Sequence, residues 1–388
     1  MNYDIHHFAK RVKATTENIR KDENLLDENK LAILKFIEFS QAQGLSPATI
    51  IKDTSALKQI ASFLGKPFDD AKVEDIVNVS RKIEDKDWSE RTKRNARITL
   101  KKFYKWLRKT DSYPDEVRWI KCSAKLKDKT LPEILTEEEV LKLVETADNQ
   151  RDKALVMTLY ESGCRVGELL TARIRNVAFN ENGATITVTG KTGSRRILLI
   201  SSAPLLGSWL ENHPAKNNPD ALLWVTKFNR VSGEKHPPLG YAAVNKLLNK
   251  LRERAGISKR IYPHLFRHTR ATHLANKLTE AQMKQIFGWT PDSGMASVYV
   301  HLSGRDVDNA LLELHGLRTQ TQNDPKIKLK ICPRCSERNS PDSKYCKRCA
   351  LVIDAETMEW ENERMNDLIK QPRVANYLRK MMAQSMKK

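Results

Sequence analysis

Residues 263–274 read PHLFRHTRATHL. On a helix running from Pro263 to Asn276, His264 and Arg267 stand at i and i+3 and share one face. Such a pair is common by chance, so its meaning depends on the rest of the chain. Three other short islands place polar residues in stretches that otherwise read as core. ESGCRVGELL (161–170) sets Arg165 at a helix start beside Gly163 and Gly167, with Glu168 following. TGKTGSRR (189–196) carries Lys191 and Arg195 in a turn between the alternating apolar runs of Ile186, Val188 and Ile197, Leu199, the pattern of a β-hairpin. FGWTPDSGMASVYVHLSG (287–304) holds Trp289 and Tyr299 ten residues apart. Taken singly each island is weak, and a lone tyrosine before a valine is ordinarily core.

Composition narrows the partner. The chain has 388 residues, enough for two to four domains, and 40% of them are apolar. Lys plus Arg is 68 against 48 for Asp plus Glu, a net charge of +20 that favours a polyanion such as nucleic acid. A membrane is the competing polyanion. No run approaches the roughly 18 to 20 apolar residues that span a bilayer, and the N-terminus MNYDIHHFAKRVK lacks the apolar core of a signal peptide. A cytoplasmic, nucleoid-associated protein is expected.

Outward from the islands the chain divides. Residues 1–25 are polar without period and are expected to form a flexible arm. Residues 26–112 read as a helical domain: Leu31, Leu34 and Ile37 recur, Ser46-Pro47 signals a helix start, and Ile50, Ile51, Leu57, Ile60 and Phe63 follow. Ser89 can cap a further helix with the stripe Leu100, Phe103, Tyr104, Leu107. Its other faces carry Lys93, Arg94, Arg97, Lys101, Lys102, Lys105 and Arg108 with almost no acid after Glu90, which points to phosphate contact. The polar stretch 113–133 reads as a linker. Thr136-x-x-Glu139 is a capping box opening a second domain over 134–320, with helices near 151–160, after Gly163, and over 241–253, 263–276, 280–287 and 307–314. Thr279-x-x-Gln282 is a second capping box. The fold class is mainly α with a small β-sheet.

In chain order the islands present Arg165, Lys191, His264, Arg267, Trp289 and Tyr299. This order resembles the tyrosine recombinase (phage integrase) family, whose pattern is Arg, Lys, His-x-x-Arg, His or Trp, Tyr. The wording around each position is similar too, and the likeness covers about residues 26–318. It implies a SAM-like helical core-binding domain followed by a DNA breaking-rejoining catalytic domain. Trp289 departs from the commoner histidine, and its spacing to Tyr299 is about one residue longer than in bacterial Xer proteins. G-W-x-P-D-S and Y-V-H-L-S-G are similar to archaeal members.

The resemblance implies a chemistry that needs neither metal nor ATP. Tyr299 would attack a DNA phosphate and store the bond energy as a 3′-phosphotyrosine. Arg165 and Arg267, always charged and able to donate paired hydrogen bonds, would clamp the phosphorane, each contributing several kcal/mol by analogy with about 2.7–4 for an oxyanion donor. Lys191 would protonate the leaving 5′-oxygen, and His264 would assist the proton transfers at Tyr299 or bond to the phosphate. Trp289 can donate one N–H but cannot shuttle a proton, so proton handling is expected to rest on His264 and Lys191. Glu168 would orient its neighbours. His268, Arg270, His273 and His301 are read as structural or backbone contacts. Double-stranded DNA and a homotetramer on recombination sites are the implied partners, with Lys93, Arg94, Arg97, Lys101, Lys105 and Arg195 as candidate DNA contacts.

The remaining motif is independent of the family. Cys122 and Cys164 stand alone, but Cys332, Cys335, Cys346 and Cys349 fall within 18 residues as C-P-R-C, ten residues, C-K-R-C. This spacing is that of a zinc ribbon over 328–352 in a reducing compartment, structural because four thiolates leave no open position, with iron as the competing metal. Residues 353–388 read as one or two short helices split at Pro372, with a sticky face of Met358, Trp360, Met365, Leu368 and Ile369. Rival readings are a type IB topoisomerase, a non-enzymatic zinc-ribbon DNA-binding protein, and an adaptor working through the tail.

Overall fold

The computed structural model describes residues 4–5, 7–123, 133–226, 236–275, 277–302, 315 and 327–377. The chain divides near residue 130 into two compact units.

The first unit is helical. Its elements are α1 (Phe8–Arg20), α2 (Asp27–Ala42), α3 (Pro47–Leu64), α4 (Val73–Asp85), α5 (Glu90–Leu107) and α6 (Asp115–Arg118). Ser46 and Ser89 cap α3 and α5 by accepting the backbone N–H of Thr49 and Thr92, satisfying donors that a helix start leaves without partners. Phe36, Phe68, Phe103 and Tyr104 fill the centre, the Phe68 and Phe103 rings meeting edge-on with centroids 4.7 Å apart. The apolar face of α2 departs from the expected stripe at one position: Ile37 is buried and Leu34 packs on the core with Ile33 and Phe36, whereas Leu31 is 54% exposed.

Two boundaries are corrected. The expected flexible arm contains α1, which is polar on average but buries Val12 and Ile19. The first part of the expected linker belongs to this unit as well, since Val117 and Ile120 are buried in its core and Arg108 pairs with Glu116 at 2.9 Å. The remainder of that linker, at 124–132, lies outside the described residues.

In the second unit, α7 (Glu137–Glu145) and α8 (Gln150–Ser162) lead into α9 (Val166–Leu170). The capping box of Thr136 and Glu139 is present. An antiparallel meander follows: β1 (Val177–Asn180), β2 (Gly183–Gly190) and β3 (Gly193–Leu199). The pairing of Gly190 with Gly193 leaves Lys191 and Thr192 alone at the turn. Next come α10 (Ala203–Glu211), α11 (Tyr241–Arg254), α12 (Pro263–Ala275), α13 (Glu280–Phe287) and α14 (Met295–Leu302). Helix α8 is buried from Ala154 to Ser162 and forms the axis on which α7, α10 and α12 pack. The helix expected over 307–314 lies outside the described residues.

The Cys-rich segment pairs β4 (Lys330–Ile331) with β5 (Arg338–Asn339). It is followed by α15 (Ala355–Lys370), which buries none of its residues. Among the described residues, no helix is long and apolar enough to cross a membrane.

Candidate active site

Helix α8 ends at Gly163, whose φ of +54° is a left-handed conformation that favours glycine, and a Cβ here would lie 2.4 Å from the Phe287 ring. The Gly163 carbonyl, left without a helical partner, accepts a hydrogen bond from the Arg267 guanidinium at 3.0 Å. Arg267 also donates to the Phe287 carbonyl at 2.6 Å, and its guanidinium lies over the Phe287 and Trp289 rings. It is 3% exposed. Burial, with the neighbouring Arg165 and Arg195 charges, pulls its pKa down to about 10, so it remains a cation at neutral pH.

Arg165 stands just ahead of α9. Its backbone N–H and guanidinium both donate to Glu168, at 3.0 and 2.8 Å. The same carboxylate accepts from Arg195 at 2.6 Å. Burial alone would raise the Glu168 carboxyl, but the two arginines outweigh it and hold the group below its ordinary value. Arg195, expected at the DNA, instead turns inward: its side chain is 9% exposed, and it donates to the Ile286 carbonyl at 2.7 Å. It fastens β3 to α13 and to Glu168.

The hairpin tip is held from the other side. Thr192 donates through its hydroxyl to the Gly288 carbonyl at 3.1 Å, which sets the exposed Lys191 next to the Gly288–Trp289 corner. Trp289 stacks on Phe287, centroids 4.9 Å apart, and on Tyr299, centroids 5.6 Å apart with ring planes 9° from parallel.

Tyr299 itself is 1% exposed. Burial pushes its hydroxyl pKa up to about 12, against the pull of Arg267. Its hydroxyl is hydrogen-bonded to Nδ1 of His268. His264 meets His268 edge-on, centroids 4.7 Å apart. Although His264 is exposed at its outer side, the crowding of its ring, with His268, Arg267 and Arg165 near, lowers its pKa. Sequence reasoning missed His268. Its neighbour Arg267 occupies the face that periodicity marks, and only the packing of α14 on α12 brings Tyr299 to it. His273 is structural, bonded at Nδ1 to the Tyr160 hydroxyl at 3.0 Å, and Arg270 donates to the Glu161 carbonyl. The side chain of His301 lies outside the described residues.

Residues 133–305 match the Phage integrase family, and residues 35–111 match the Phage integrase N-terminal SAM-like domain. The chain is a tyrosine recombinase of the phage integrase family. It is 26% identical over 310 residues to tyrosine recombinase XerC of Oceanobacillus iheyensis, covering 75% of this chain and 97% of that protein. It is 30% identical over 183 residues to tyrosine recombinase XerA of Pyrococcus horikoshii, covering 47% of this chain and 61% of that protein. The crystal structure of XerH recombinase in a post-cleavage complex with its difH substrate has the same fold, with a TM-score of 0.54 and 18% identity, over 81% of this chain and 98% of that one.

The basic face of α5 in this recombinase has more partners than its sequence suggested, and they come from other elements. Lys93 and Arg94 donate to the carbonyls of Glu84 and Cys122 at 2.6 and 2.8 Å. Arg97 pairs with Glu84 at 3.0 Å. Lys102 pairs with the buried Asp53 at 3.0 Å. Lys101 donates to the carbonyls of Arg118 and Ile120 and, with Lys105, sits over the Tyr113 ring. These cations brace the helical unit, and Arg97 and Lys102 already have carboxylate partners.

Beyond the catalytic helices the recombinase carries a candidate metal centre. Cys332, Cys335, Cys346 and Cys349 place their sulfurs within 4.8 Å of one another, the bonded pairs at 3.5–3.6 Å. Four thiolates at 2.3 Å from a tetrahedral zinc would stand about 3.8 Å apart, so the set fits one ion. The two knuckles are built alike. Ser336 and Ala350, each following a cysteine, have φ of +56° and +57° and donate their backbone N–H to Cys332 and Cys346. The ribbon is docked on the second unit. Asp342 pairs with Lys153 at 2.7 Å, Arg338 donates to the Glu181 carbonyl, and the Ile327 N–H donates to Glu137.

Proposed function

We propose that this recombinase cuts and rejoins duplex DNA at specific sites through a 3′-phosphotyrosyl intermediate, with Tyr299 as nucleophile. One observation carries the assignment of Tyr299. Its hydroxyl is held at a fixed point, between a stacked tryptophan and an imidazole, beside a buried arginine that, among the described residues, is hydrogen-bonded to backbone carbonyls and makes no ion pair. A phosphate entering there meets Arg267 and Arg165 as counter-charges, and the low dielectric around Arg267 strengthens their hold on the phosphorane. Glu168 positions Arg165. Lys191 approaches the leaving 5′-oxygen from the hairpin tip and supplies its proton. Since Tyr299 is 1% exposed, DNA binding has to uncover it before attack.

The DNA is gripped by the helical and catalytic units, and a tetramer exchanges strands in pairs. The exposed Lys191 and the half-buried Lys105 are the cations that would meet phosphates. The four thiolates hold zinc. When bound, that ion supplies folding energy to a ribbon with too little core of its own.

The test uses a nicked duplex carrying the site recovered by selection from random-sequence DNA. Tyr299→Phe is expected to bind it with unchanged affinity and to form no covalent adduct. An adduct with the phenylalanine variant removes Tyr299 as nucleophile. Supercoil relaxation by the wild type with no recombinant product would instead favour the topoisomerase reading.

A further inference from the structure

We propose that His268 holds the Tyr299 hydroxyl and takes its proton as the phenolic oxygen attacks phosphorus. The inference rests on Tyr299 being the nucleophile and adds the base that this reading lacks. The position opposite Tyr299 is filled by Trp289, whose indole N–H donates and cannot accept a proton. Arg267, whose charge acts on the hydroxyl, is equally unable to accept. His264 touches His268 edge-on, and the hydroxyl of Tyr299 is bonded to His268. His268 is the acceptor in contact with the reacting atom.

Proton and charge balance in this arrangement. The Tyr299 Oη–P bond forms and the P–O5′ bond breaks. The phenolic proton passes to Nδ1 of His268, and the departing O5′ takes a proton from Lys191. Rejoining runs the transfers backwards: the 5′-hydroxyl attacks, its proton returns to Lys191, and imidazolium His268 gives its proton to the leaving phenolate. For Nδ1 to accept, the ring must be neutral with its hydrogen on Nε2. Burial and the Arg267 charge favour that neutral form, lowering the His268 pKa below its ordinary value. Among the described residues, the groups facing the ring are Tyr299 from α14 and His264 and Arg267 from its own helix, with Arg165 beyond them. An incoming phosphodiester brings negative charge among these cations. It raises the basicity of His268 at the moment the proton has to move.

The measurement is the rate of covalent adduct formation on the same nicked duplex, in a normal form and in a form with sulfur replacing the bridging 5′-oxygen. A thiolate leaves without protonation, so the sulfur restores variants that lack the acid but not those that lack the base. His268→Gln, which can still hydrogen-bond the hydroxyl, is expected to be slowed by about 10²-fold or more with either substrate. Lys191→Ala is expected to be slowed on the normal duplex and restored by sulfur. The wild-type rate should fall as the solution is acidified below pH 6.5, and His264→Gln should keep that limb while His268→Gln loses it. DNA affinity and thermal melting of His268→Gln establish that it folds; if it does not, the wild-type and His264→Gln pH profiles decide. A His268→Gln rate within about threefold of wild type, its rescue by sulfur, or an acid limb absent from His264→Gln would each overturn the assignment. If Tyr299→Phe forms no adduct while His268→Gln is fast, only the base is wrong; an adduct with Tyr299→Phe would remove the nucleophile itself.

Discussion

Glu168 holds two arginines on one buried carboxylate, and only Arg165, 39% exposed at its side chain, is free to lean toward a ligand. Removing Glu168 would leave Arg195 as a buried charge without its counter-ion, a loss of about 3–5 kcal/mol. Glu168→Ala is therefore expected to lower the denaturation midpoint and to slow adduct formation, because Arg165 loses its guide. The pH dependence has a definite sign. A carboxyl held below its ordinary value of 4.5 in the folded protein contributes its stability above that value and loses it as pH falls through the depressed one. Glu168→Ala should flatten the acid side of the stability curve. An unchanged midpoint and acid limb would mean that the arginines need no partner.

At the scale of elements, the hairpin and α13 act as one piece. Gly288 closes α13 with φ of +57°, its carbonyl receives Thr192, and a Cβ on it would stand 2.7 Å from Arg195. Gly288→Ala is expected to cost about 1–3 kcal/mol and to slow cleavage by loosening the tip that carries Lys191. A rate equal to wild type with the stability loss intact would separate the tip from the chemistry. Much of this level was legible in the chain. Ser46, Ser89, Thr136 and Thr279 announce their helices because capping is a local hydrogen-bond rule, and all four side chains accept as expected. What could not be read depends on distant partners. Helix α1 is polar on average, and its packing rests on two buried side chains. Helix α10 is an apolar run without periodicity, and β1 becomes a strand through its pairing with β2. Arg195 reads as a surface cation until Glu168 is folded against it. His268 reads as structural because its partner lies 31 residues further on.

Across the whole molecule, the ribbon is fastened to α7 and α8 through Glu137 and Lys153 and to the β1–β2 turn through the Glu181 carbonyl. Its own knuckles depend on the sulfurs at their centre. Elemental analysis is expected to find one zinc per chain, and cobalt substitution to give the absorption of a four-thiolate site. Stripping the metal should make the segment around residues 327–354 sensitive to protease while leaving covalent adduct formation on short duplexes intact. A ribbon that stays protease-resistant without metal would show that docking alone folds it. The family order of Arg165, Lys191, His264, Arg267, Trp289 and Tyr299 was readable at this scale because it runs through four sequence islands in fixed succession. The docking of the ribbon was not, since Lys153 and Asp342 carry no mark of their pairing.

The stack of Trp289 on Tyr299 also gives the protein an internal optical reporter. An indole lying nearly parallel to a buried phenol emits from a dry, π-rich site. Uncovering the phenol exchanges that neighbour for water or phosphate and shifts the emission. In a chain whose other six tryptophans are phenylalanine, the light from Trp289 would follow the opening of the nucleophile in real time, without label or covalent trap.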